Sequence, residues 1–307
     1  MRIKATGVFM LFLPITVDAR RDIEPYLRAW KLENSTYSFT NLLIWGHGNK
    51  LRYALQDGAL FVLAQYDDYP PYMYAPLTLD PGADYRAAVD AARSHMEANG
   101  IDPLFLGISE DIEVKFRTYC GDYQLTLDLD NCDYVYEAQK LITLSGKRLH
   151  AKRNHINQFE SAYPNYEYVP ATAAMRDDAL AMQLAWLQNK DALLPGMEGE
   201  YDAIRLLFDH MDELGIVGGG IRIDGRLAAF SLGQRISERM MVVHIEKADD
   251  AIPGSYAMIN QCFAREYCTD VQYINREEDM GIIGLRRSKS SYQPAFMIDK
   301  YMARPTR

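Results

Sequence analysis

The most informative part of the sequence is Tyr273-Ile-Asn-Arg-Glu-Glu-Asp-Met-Gly-Ile-Ile-Gly-Leu-Arg-Arg-Ser-Lys-Ser-Ser-Tyr-Gln-Pro294. It begins like a strand and continues as a run of charged residues and glycines. A core strand is β-branched and apolar, and a solvated helix spaces opposite charges four residues apart. This stretch does neither. Its charges form an acidic group and a basic group with two glycines between them: Glu277, Glu278 and Asp279, then Gly281 and Gly284, then Arg286, Arg287 and Lys289.

Opposite charges held close around a glycine-hinged loop suit a zwitterionic or amino-acid-like ligand. In this hypothesis, Glu246, Glu277 and Asp279 together bind an ammonium group, and Arg286 or Lys289 binds a carboxylate or phosphate. The alternative interpretation is a charged surface loop without a ligand.

Composition sets the class of protein. The chain has 307 residues, of which 48% are hydrophobic and 24% are charged, as in ordinary globular proteins. This length exceeds what one core fills, so we expect two domains. The net charge of −9 argues against a general polyanion binder, because phosphate contacts require Lys or Arg.

The four cysteines form no C-x-x-C pair, so the sequence indicates no metal site and suits reduced thiols in a cytoplasmic protein. No apolar run reaches the ~18 residues of a membrane span. The apolar run after Lys4 fits a first buried strand, Val8–Val17, and also the apolar part of a signal peptide. We favour the strand, because Pro14 interrupts the run and Arg20 follows the cleavage-like position closely.

Hydrophobic periodicity in the first half predicts helices alternating with antiparallel strands. A hairpin turn is indicated at Asp57-Gly58. The predicted helices are Ala19–Trp30, Asp84–Asn99 and Glu110–Thr118. The predicted strands are Phe39–Trp45, Leu51–Leu55, Ala59–Gln65, Tyr72–Leu77, Leu104–Ile108, Asp122–Leu129 and Cys132–Val135.

A basic segment then separates two halves. Leu141–Glu160 reads as one amphipathic helix that can bridge two domains. Its positive charges make an anion-binding face or a solvated linker, and the pattern leaves both open. The basic residues are Lys147, Arg148, Lys152 and Arg153.

The second half repeats the order of elements, without an alignable sequence repeat, and indicates a duplicated α+β topology. Asp224-Gly225 predicts another hairpin. The predicted helices are Ala174–Asn189, Tyr201–Leu214 and Tyr256–Tyr267, with a loop at Leu193–Gly196. The predicted strands are Ile216–Ile223, Arg226–Gln234, Met240–Lys247, Val271–Asn275 and Ala295–Met302.

Met240–Tyr267 carries the second candidate site. By strand alternation His244 and Glu246 share one side and Lys247 takes the other. His244 is a candidate base near neutral pH. A turn at Gly254-Ser255 opens the next helix, where backbone N–H groups favour an anion, although Ser255 also suits a plain N-cap. The sequence shows no protein nucleophile motif, and direct attack of a bound amine on an activated acyl group needs none.

Leu144–Phe159, Tyr273–Gly281 and Gly284–Pro294 resemble soluble proteins related to the C-terminal domain of phosphatidylglycerol lysyltransferase. The resemblance implies two tandem acyl-CoA N-acyltransferase (GNAT-like) folds joined by a long helix. It also implies kinship with Fem-type transferases, which use aminoacyl-tRNA. The expected domains are 1–140, a connecting helix at 141–165, and 166–307 carrying the site. Lys289 matches a lysine near the family's C-terminus, whereas His244 and Lys247 stand where the family has an acid and an arginine.

The leading hypothesis is therefore a cytoplasmic transferase that moves an acyl or aminoacyl group from acyl-CoA or aminoacyl-tRNA to an amine or hydroxyl acceptor. The alternative is a non-catalytic protein that binds a ligand or RNA. No metal is expected. The candidate catalytic residues are His244, Glu246 and Lys289; the substrate-binding residues are Lys247, Asn275, Glu277, Asp279, Arg286 and Tyr292; the anion-binding residues are Gly254, Ser255, Lys147, Arg148, Lys152 and Arg153. Replacing Lys289 or Glu246 by Ala is expected to leave stability within about 1 kcal/mol, as for surface changes.

Overall fold

Two mixed β-sheets with flanking helices organise the chain, and the computed structural model describes residues 10–47, 50–67, 69–188 and 197–306. The predicted α+β class is confirmed. The start of the predicted strand Val8–Val17 and the predicted loop 193–196 lie outside the described residues. Contacts divide the chain into two compact units, Asp130–Met297 and the combination of Met1–Leu129 with Ile298–Arg307.

The first unit holds a sheet ordered β1-β2-β3-β4-β6-β15-β7, with β5 paired to β3. Its strands are β1 (Leu13–Pro14), β2 (Leu51–Gln56), β3 (Ala59–Ala64), β4 (Tyr72–Tyr74), β5 (Leu77–Thr78), β6 (Phe105–Ile108), β7 (Tyr123–Leu127) and β15 (Tyr301–Pro305). Its helices are α1 (Arg20–Trp30), α2 (Phe39–Trp45), α3 (Tyr85–Ala98) and α4 (Glu110–Tyr119).

The second unit holds a sheet ordered β14-β8-β13-β12-β11-β10-β9. Its strands are β8 (Asp133–Glu137), β9 (Glu167–Pro170), β10 (Ile216–Ile223), β11 (Arg226–Arg235), β12 (Met240–Ala248), β13 (Tyr273–Asn275) and β14 (Phe296–Ile298). Its helices are α5 (Ala138–Thr143), α6 (His150–Ala162), α7 (Arg176–Gln188), α8 (Met197–Asp209), α9 (Met211–Leu214), α10 (Ser255–Tyr267) and α11 (Ile283–Ser291).

Local sequence signals account for most of these elements. Asp57-Gly58 and Asp224-Gly225 have positive φ at both residues, as the tight hairpins β2–β3 and β10–β11 require. The interpretation of Phe39–Trp45 as a strand is wrong, because this segment is helix α2. Ser38 begins that helix by accepting a hydrogen bond from the Asn41 N–H at 3.0 Å. A short apolar run does not by itself separate a buried strand from a buried helix.

The predicted helix over 141–160 is interrupted in the structure. α5 ends where Leu144 takes a left-handed conformation (φ 48°) and Gly146 a positive φ of 91°, and α6 begins at His150. The Arg153 guanidinium donates to the carbonyls of Leu144 and Gly146. Both helices lie inside the unit Asp130–Met297, so the two units differ from the predicted ranges 1–140, 141–165 and 166–307.

α10 covers one face of the second sheet. Its Met258, Ile259 and Phe263 pack in a buried apolar cluster with Met241 and Val243 of β12. At its start Gly254 is the N-cap, with φ 86°. A Cβ at Gly254 would overlap the His155 carbonyl oxygen of α6. Only glycine therefore lets the two helices meet at this point.

The Gly254→Ala variant tests this contact. It combines a left-handed backbone with an overlap against backbone atoms, so we expect it to lower the free energy of unfolding by about 2–4 kcal/mol. The measurement is urea unfolding. Gly284→Ala in α11 is the matched control: a Cβ there meets no heavy atom within 4 Å, and we expect a change of no more than about 1 kcal/mol. Equal losses in both variants would contradict the packing argument.

Candidate functional site

Two neighbouring strands of the second unit separate and leave an opening in the sheet. β12 and β13 are parallel and pair only at Met240–Val242 with Tyr273–Asn275. β12 then runs on to Ala248, whereas the chain after Asn275 leaves the sheet. Among the described strands, none pairs with this edge of residues 243–247, so its peptide groups face the gap. We call this gap the strand opening.

A β-bulge at the head of the opening changes the predicted orientation of His244. Leu232 pairs with Ile245 and Gly233 with Val243, so His244 is an extra residue between them. Before the bulge, the odd-numbered Met241 and Val243 pack in the apolar cluster under α10. After it, the even-numbered Glu246 and Ala248 face α10, since Ala248 belongs to the same cluster and Glu246 bonds to Asn260. The buried face thus passes from odd to even positions. The prediction that His244 and Glu246 share one side assumed unbroken alternation, which the bulge interrupts; in the structure His244 contacts Glu277, whereas Glu246 contacts Arg276 and Asn260.

Glu246 is the centre of a buried polar group on the α10 side. Its Oε1 accepts from Arg276 Nη2 at 2.7 Å, and its Oε2 accepts from Asn260 Nδ2 at 2.9 Å. The Arg276 and Glu246 side chains are only 10% and 11% exposed. Burial alone would lower the pKa of Arg276, but the attraction of Glu246 outweighs it and the pKa lies above its usual value.

Three polar atoms around this carboxylate have no hydrogen-bond partner within the described chain: Ser231 Oγ, Asn260 Oδ1 and Arg276 Nη1. Ser231 pairs directly with Glu246 across β11 and β12 and therefore shares its face. Ser231 and Asn260 are fully or almost fully buried. Buried polar atoms are normally satisfied, so three close to one carboxylate make this group a candidate binding site.

Aromatic rings and a lysine complete the group. The Arg276 guanidinium carbon lies 4.8 Å from the Tyr292 ring centre and 5.7 Å from that of Tyr136. Lys152 Nζ from α6 lies 4.0 Å from the Tyr292 ring centre. Burial, then repulsion from Arg276, lowers the pKa of Lys152 to about 8, although Glu246 opposes the shift. We call Ser231, Glu246, Asn260, Arg276 and Lys152 the Glu246 cluster.

His244 belongs to a second polar group. Its Nδ1 lies 2.9 Å from Glu277 Oε1, and its Nε2 is buried without a partner in the described chain. Asn275 accepts from the Glu277 N–H at 2.8 Å and donates to Asp133 at 2.9 Å. Glu277 has a left-handed φ of 56°, which is uncommon for a residue with a side chain. Burial raises the pKa of Glu277 even though His244 acts to lower it.

Lys289 holds the loop between these groups. Its ammonium donates to the carbonyl of Arg276 at 2.6 Å and to that of Glu278. The residue is buried, and burial lowers its pKa to about 8. Lys289 therefore lies beneath the loop, bonded to its backbone.

Other charges of Tyr273–Pro294 neutralise each other. Arg286 donates to both oxygens of Asp279 at 2.8 Å and to Asp130 at 2.6 Å, and Tyr134 donates to Asp279 at 2.6 Å. Burial would raise the pKa of Asp279, but these hydrogen bonds outweigh it and the pKa is lowered. Asp279 and Arg286 are thus already engaged with each other.

Lys247 lies apart from the Glu246 cluster, as alternation predicts for adjacent residues. Its ammonium pairs with Glu200 at 2.6 Å and lies 3.7 Å from the Trp186 ring centre. Both partners come from the helices α7 and α8. Lys247 is therefore held by a separate set of contacts.

The predicted anion-binding residues are also dispersed. Ser255 Oγ donates to the Asp249 carbonyl at 3.2 Å, so it does not cap α10, and Gly254 is pressed against α6. Arg153 serves the carbonyls that end α5. Two residues, Lys147 and Arg148, are exposed. Of the predicted set, only Lys152 reaches the Glu246 cluster.

Sequence reasoning missed Arg276, Asn260, Ser231 and Tyr136. Arg276 stood inside the quoted stretch, next to Glu277, but was not singled out. A usable signal was available for Asn260, because it lies within the otherwise mostly apolar buried face of α10. A polar residue at a buried helical position requires a partner.

The Glu246→Ala variant distinguishes a buried ion pair from a surface charge. It leaves Arg276 charged and unpaired, so we expect the free energy of unfolding to fall by about 3–5 kcal/mol, more than the sequence suggested. The double variant Glu246→Leu/Arg276→Met removes both charges, and we expect a clearly smaller loss. Urea unfolding measures both. If the double variant is no more stable than the single one, the ion pair is not the cause.

The lowered pKa values of Lys152 and Lys289 predict a pH dependence. Both fall to about 8 from the ordinary 10.5 of an unfolded chain. Between pH ~8 and ~10 the unfolded lysines hold protons that the folded ones have lost, which raises the free energy of unfolding with pH. The buried thiols of Cys120, Cys262 and Cys268 oppose this rise, because burial raises their pKa to about 12, 11 and 12 and the unfolded thiols lose their protons first.

The test is therefore a comparison of variants by unfolding titrations from pH ~8 to ~10. The slope of stability against pH should be lower in Lys289→Met than in the wild-type protein and unchanged in Lys147→Met, and equal slopes in wild type and Lys289→Met would contradict the lysine contribution.

The helices of the described ranges are all too short or too polar to span a bilayer.

Comparisons with known proteins agree with this architecture. Residues 28–304 match the family described as phosphatidylglycerol lysyltransferase, C-terminal. A conserved protein of unknown function from Bacteroides thetaiotaomicron is 32% identical, with a TM-score of 0.85 over 96% of this chain and 99% of that one. L-PGS from Bacillus licheniformis is 14% identical, with a TM-score of 0.65 over 92% and 90%.

A tandem GNAT protein from the clavulanic acid biosynthesis pathway gives a TM-score of 0.51 at 11% identity, over 95% of this chain and 98% of that one. The predicted pair of GNAT-like folds is therefore confirmed, with both sheets built on one order of elements. The family match covers nearly the whole chain and agrees with the motifs at Leu144–Phe159 and Tyr273–Pro294. The chain belongs to the family of phosphatidylglycerol lysyltransferase C-terminal domains.

Proposed function

We propose that the second unit transfers an acyl or aminoacyl group from an activated donor to an amine or hydroxyl acceptor. The observation that carries the proposal is the strand opening, flanked by two buried polar groups that retain unpartnered atoms. The family and its structural neighbours are of the aminoacyl- and acyltransferase type. Aminoacyl-tRNA and acyl-CoA are the two donor classes that we propose to test.

The strand opening suits an extended donor. Peptide N–H and C=O groups on the unpaired edge of residues 243–247 can pair with an extended chain, as a strand edge does with an added strand. An N–H on this edge can also stabilise the oxygen of a donor carbonyl as negative charge develops on it. This edge belongs to the backbone, which agrees with the lack of a nucleophile motif.

His244 is the proposed proton acceptor. The ionised Glu277 carboxylate can only accept a hydrogen bond, so Nδ1 of His244 carries the proton and Nε2 carries the lone pair. Among the described residues, His244 Nε2 has no hydrogen-bond partner. The acceptor nitrogen or oxygen attacks the donor carbonyl carbon, His244 takes its proton, and the C–O or C–S bond to the carrier breaks. His244 then returns the proton to the leaving group.

The Glu246 cluster is proposed to bind the acceptor. Arg276 and Glu277 are consecutive, so their partners Glu246 and His244 flank the point where the chain leaves β13. We propose that the acceptor held by the cluster reaches the base through the strand opening. Lys289 was predicted to be catalytic, but we propose that it positions the loop, because its ammonium bonds the carbonyls on either side of Glu277.

Transfer can be tested directly with radiolabelled aminoacyl-tRNA and acyl-CoA in separate reactions, each with pooled amine and hydroxyl acceptors. We expect label to leave one donor and enter a new amide or ester. His244→Gln, which removes the imidazole base, should lower kcat about 100-fold or more while substrate binding persists.

Lys147→Met is the matched control, since Lys147 is exposed and outside both polar groups. It should leave transfer unchanged. Full activity in His244→Gln would exclude this residue as the base. Absence of transfer from both donors would contradict the proposed function.

A further inference from the structure

The Glu246 cluster is charged and polar in a pattern that selects one kind of ligand. Arg276 and Lys152 carry positive charge and Glu246 carries negative charge, so the cluster has one net positive charge when Lys152 is protonated. An anionic group with a single charge would balance it. Buried charges require such compensation much more than exposed ones.

The unpartnered atoms add a second requirement. Asn260 Nδ2 must face Glu246, because a carboxylate only accepts hydrogen bonds, and this leaves Asn260 Oδ1 as the free atom. Asn260 Oδ1 can only accept, and the hydroxyl of Ser231, which pairs with Glu246 across the two strands, can also accept. Arg276 Nη1 can only donate. The ligand therefore brings a hydrogen-bond acceptor to Arg276 and a donor to Asn260.

The two cations lie against one ring. Lys152 Nζ and the Arg276 guanidinium are 4.0 Å and 4.8 Å from the centre of Tyr292. Among the described residues, the Lys152 ammonium contacts this ring and forms no ion pair with a carboxylate. Its repulsion by Arg276 would be relieved by an anion that touches both groups.

From this geometry we infer that the acceptor is an α-amino acid or a close analogue with a free carboxylate, held by Arg276 and Lys152, and an amine held by Asn260 and Ser231. That the bound amino acid is the acceptor rests on the proposed function, whereas the binding site itself does not. Inorganic phosphate would satisfy the two cations but offers Asn260 only a P–OH group instead of an ammonium. A zwitterion satisfies both sides.

The test is ligand binding to the full chain, which needs no turnover. The probes are the twenty genetically encoded amino acids, screened by thermal shift, with affinities of the responders measured by calorimetry. Each responder is compared with its methyl ester, its N-acetyl derivative and inorganic phosphate. We expect one or a few amino acids to raise the melting temperature, and their esters and N-acetyl forms to bind at least tenfold more weakly.

Lys152→Met keeps the aliphatic contact with Tyr292 and removes the charge. It should weaken amino-acid binding at least tenfold, whereas Lys147→Met on the same basic segment should bind like the wild-type protein. Affinity of the wild-type protein should fall as pH rises through about 8, because only protonated Lys152 attracts the carboxylate. Lys152→Met should lack this fall.

The inference is overturned if no amino acid binds, if esters or phosphate bind as tightly as the amino acid, or if Lys152→Met binds unchanged. Its failure is separable from that of the proposed function. Amino-acid binding without transfer from either donor would leave the site standing and remove the reaction. Transfer to acceptors that lack a carboxylate would leave the reaction standing and overturn the inference.

Discussion

The separation of the chain from β12 after Asn275 is the constraint on which the candidate site depends. It is held by hydrogen bonds rather than by apolar packing: the buried Lys289 ammonium binds two backbone carbonyls, and Asn275 binds the Glu277 N–H. Without these bonds, the simplest course for the chain is to continue pairing along β12. The strand opening would then be filled by the protein's own backbone.

This turn also distributes the catalytic candidates. Arg276 and Glu277 are neighbours in sequence, but one meets Glu246 under α10 and the other meets His244 in the bulge. Glu277 takes a left-handed conformation, which costs about 1–2 kcal/mol for a residue with a side chain. Such strain persists where surrounding contacts enforce it, and it occurs often at functional sites. The bulge and the turn together create the two polar groups.

Periodicity and turn chemistry predicted the parts of the fold that are local. The hairpins at Asp57-Gly58 and Asp224-Gly225 need positive φ at both residues, and that requirement is visible in sequence. The segment Phe39–Trp45 was ambiguous because nearly all of it is buried, so neither a period of two nor a period of 3.6 stands out.

The site was less predictable because its contacts are long-range. One extra residue at His244 reverses the side on which each later residue of β12 points, and no local signal marks that bulge. The charges of Asp279 and Arg286 could be read from the sequence, but the sequence did not show that the two side chains bind each other. Lys152 was visible as one basic residue among several, and only the fold brings it to Tyr292.

The first unit shows what the same topology does with its own pair of parallel strands. β4 and β6 pair only at Met73 with Phe105 and Tyr74 with Leu106. There Gly107, with φ 70°, is packed closely by the side chains of Tyr74, Thr36 and Tyr37, and the Tyr37 hydroxyl donates to the Ala75 carbonyl at 3.0 Å.

Tyrosine rings and a satisfied hydroxyl thus occupy the neighbourhood of that strand divergence. The second unit places the Glu246 carboxylate, the Arg276 guanidinium and the Asn260 amide at the related position. Among the described residues, Arg276 Nη1, Asn260 Oδ1 and the neighbouring Ser231 Oγ have no hydrogen-bond partner. A buried polar atom without a partner destabilises a fold by about 1–3 kcal/mol. Three in one place are therefore costly for stability alone, and a ligand that supplies their hydrogen bonds, as the proposed acceptor does, would offset that cost.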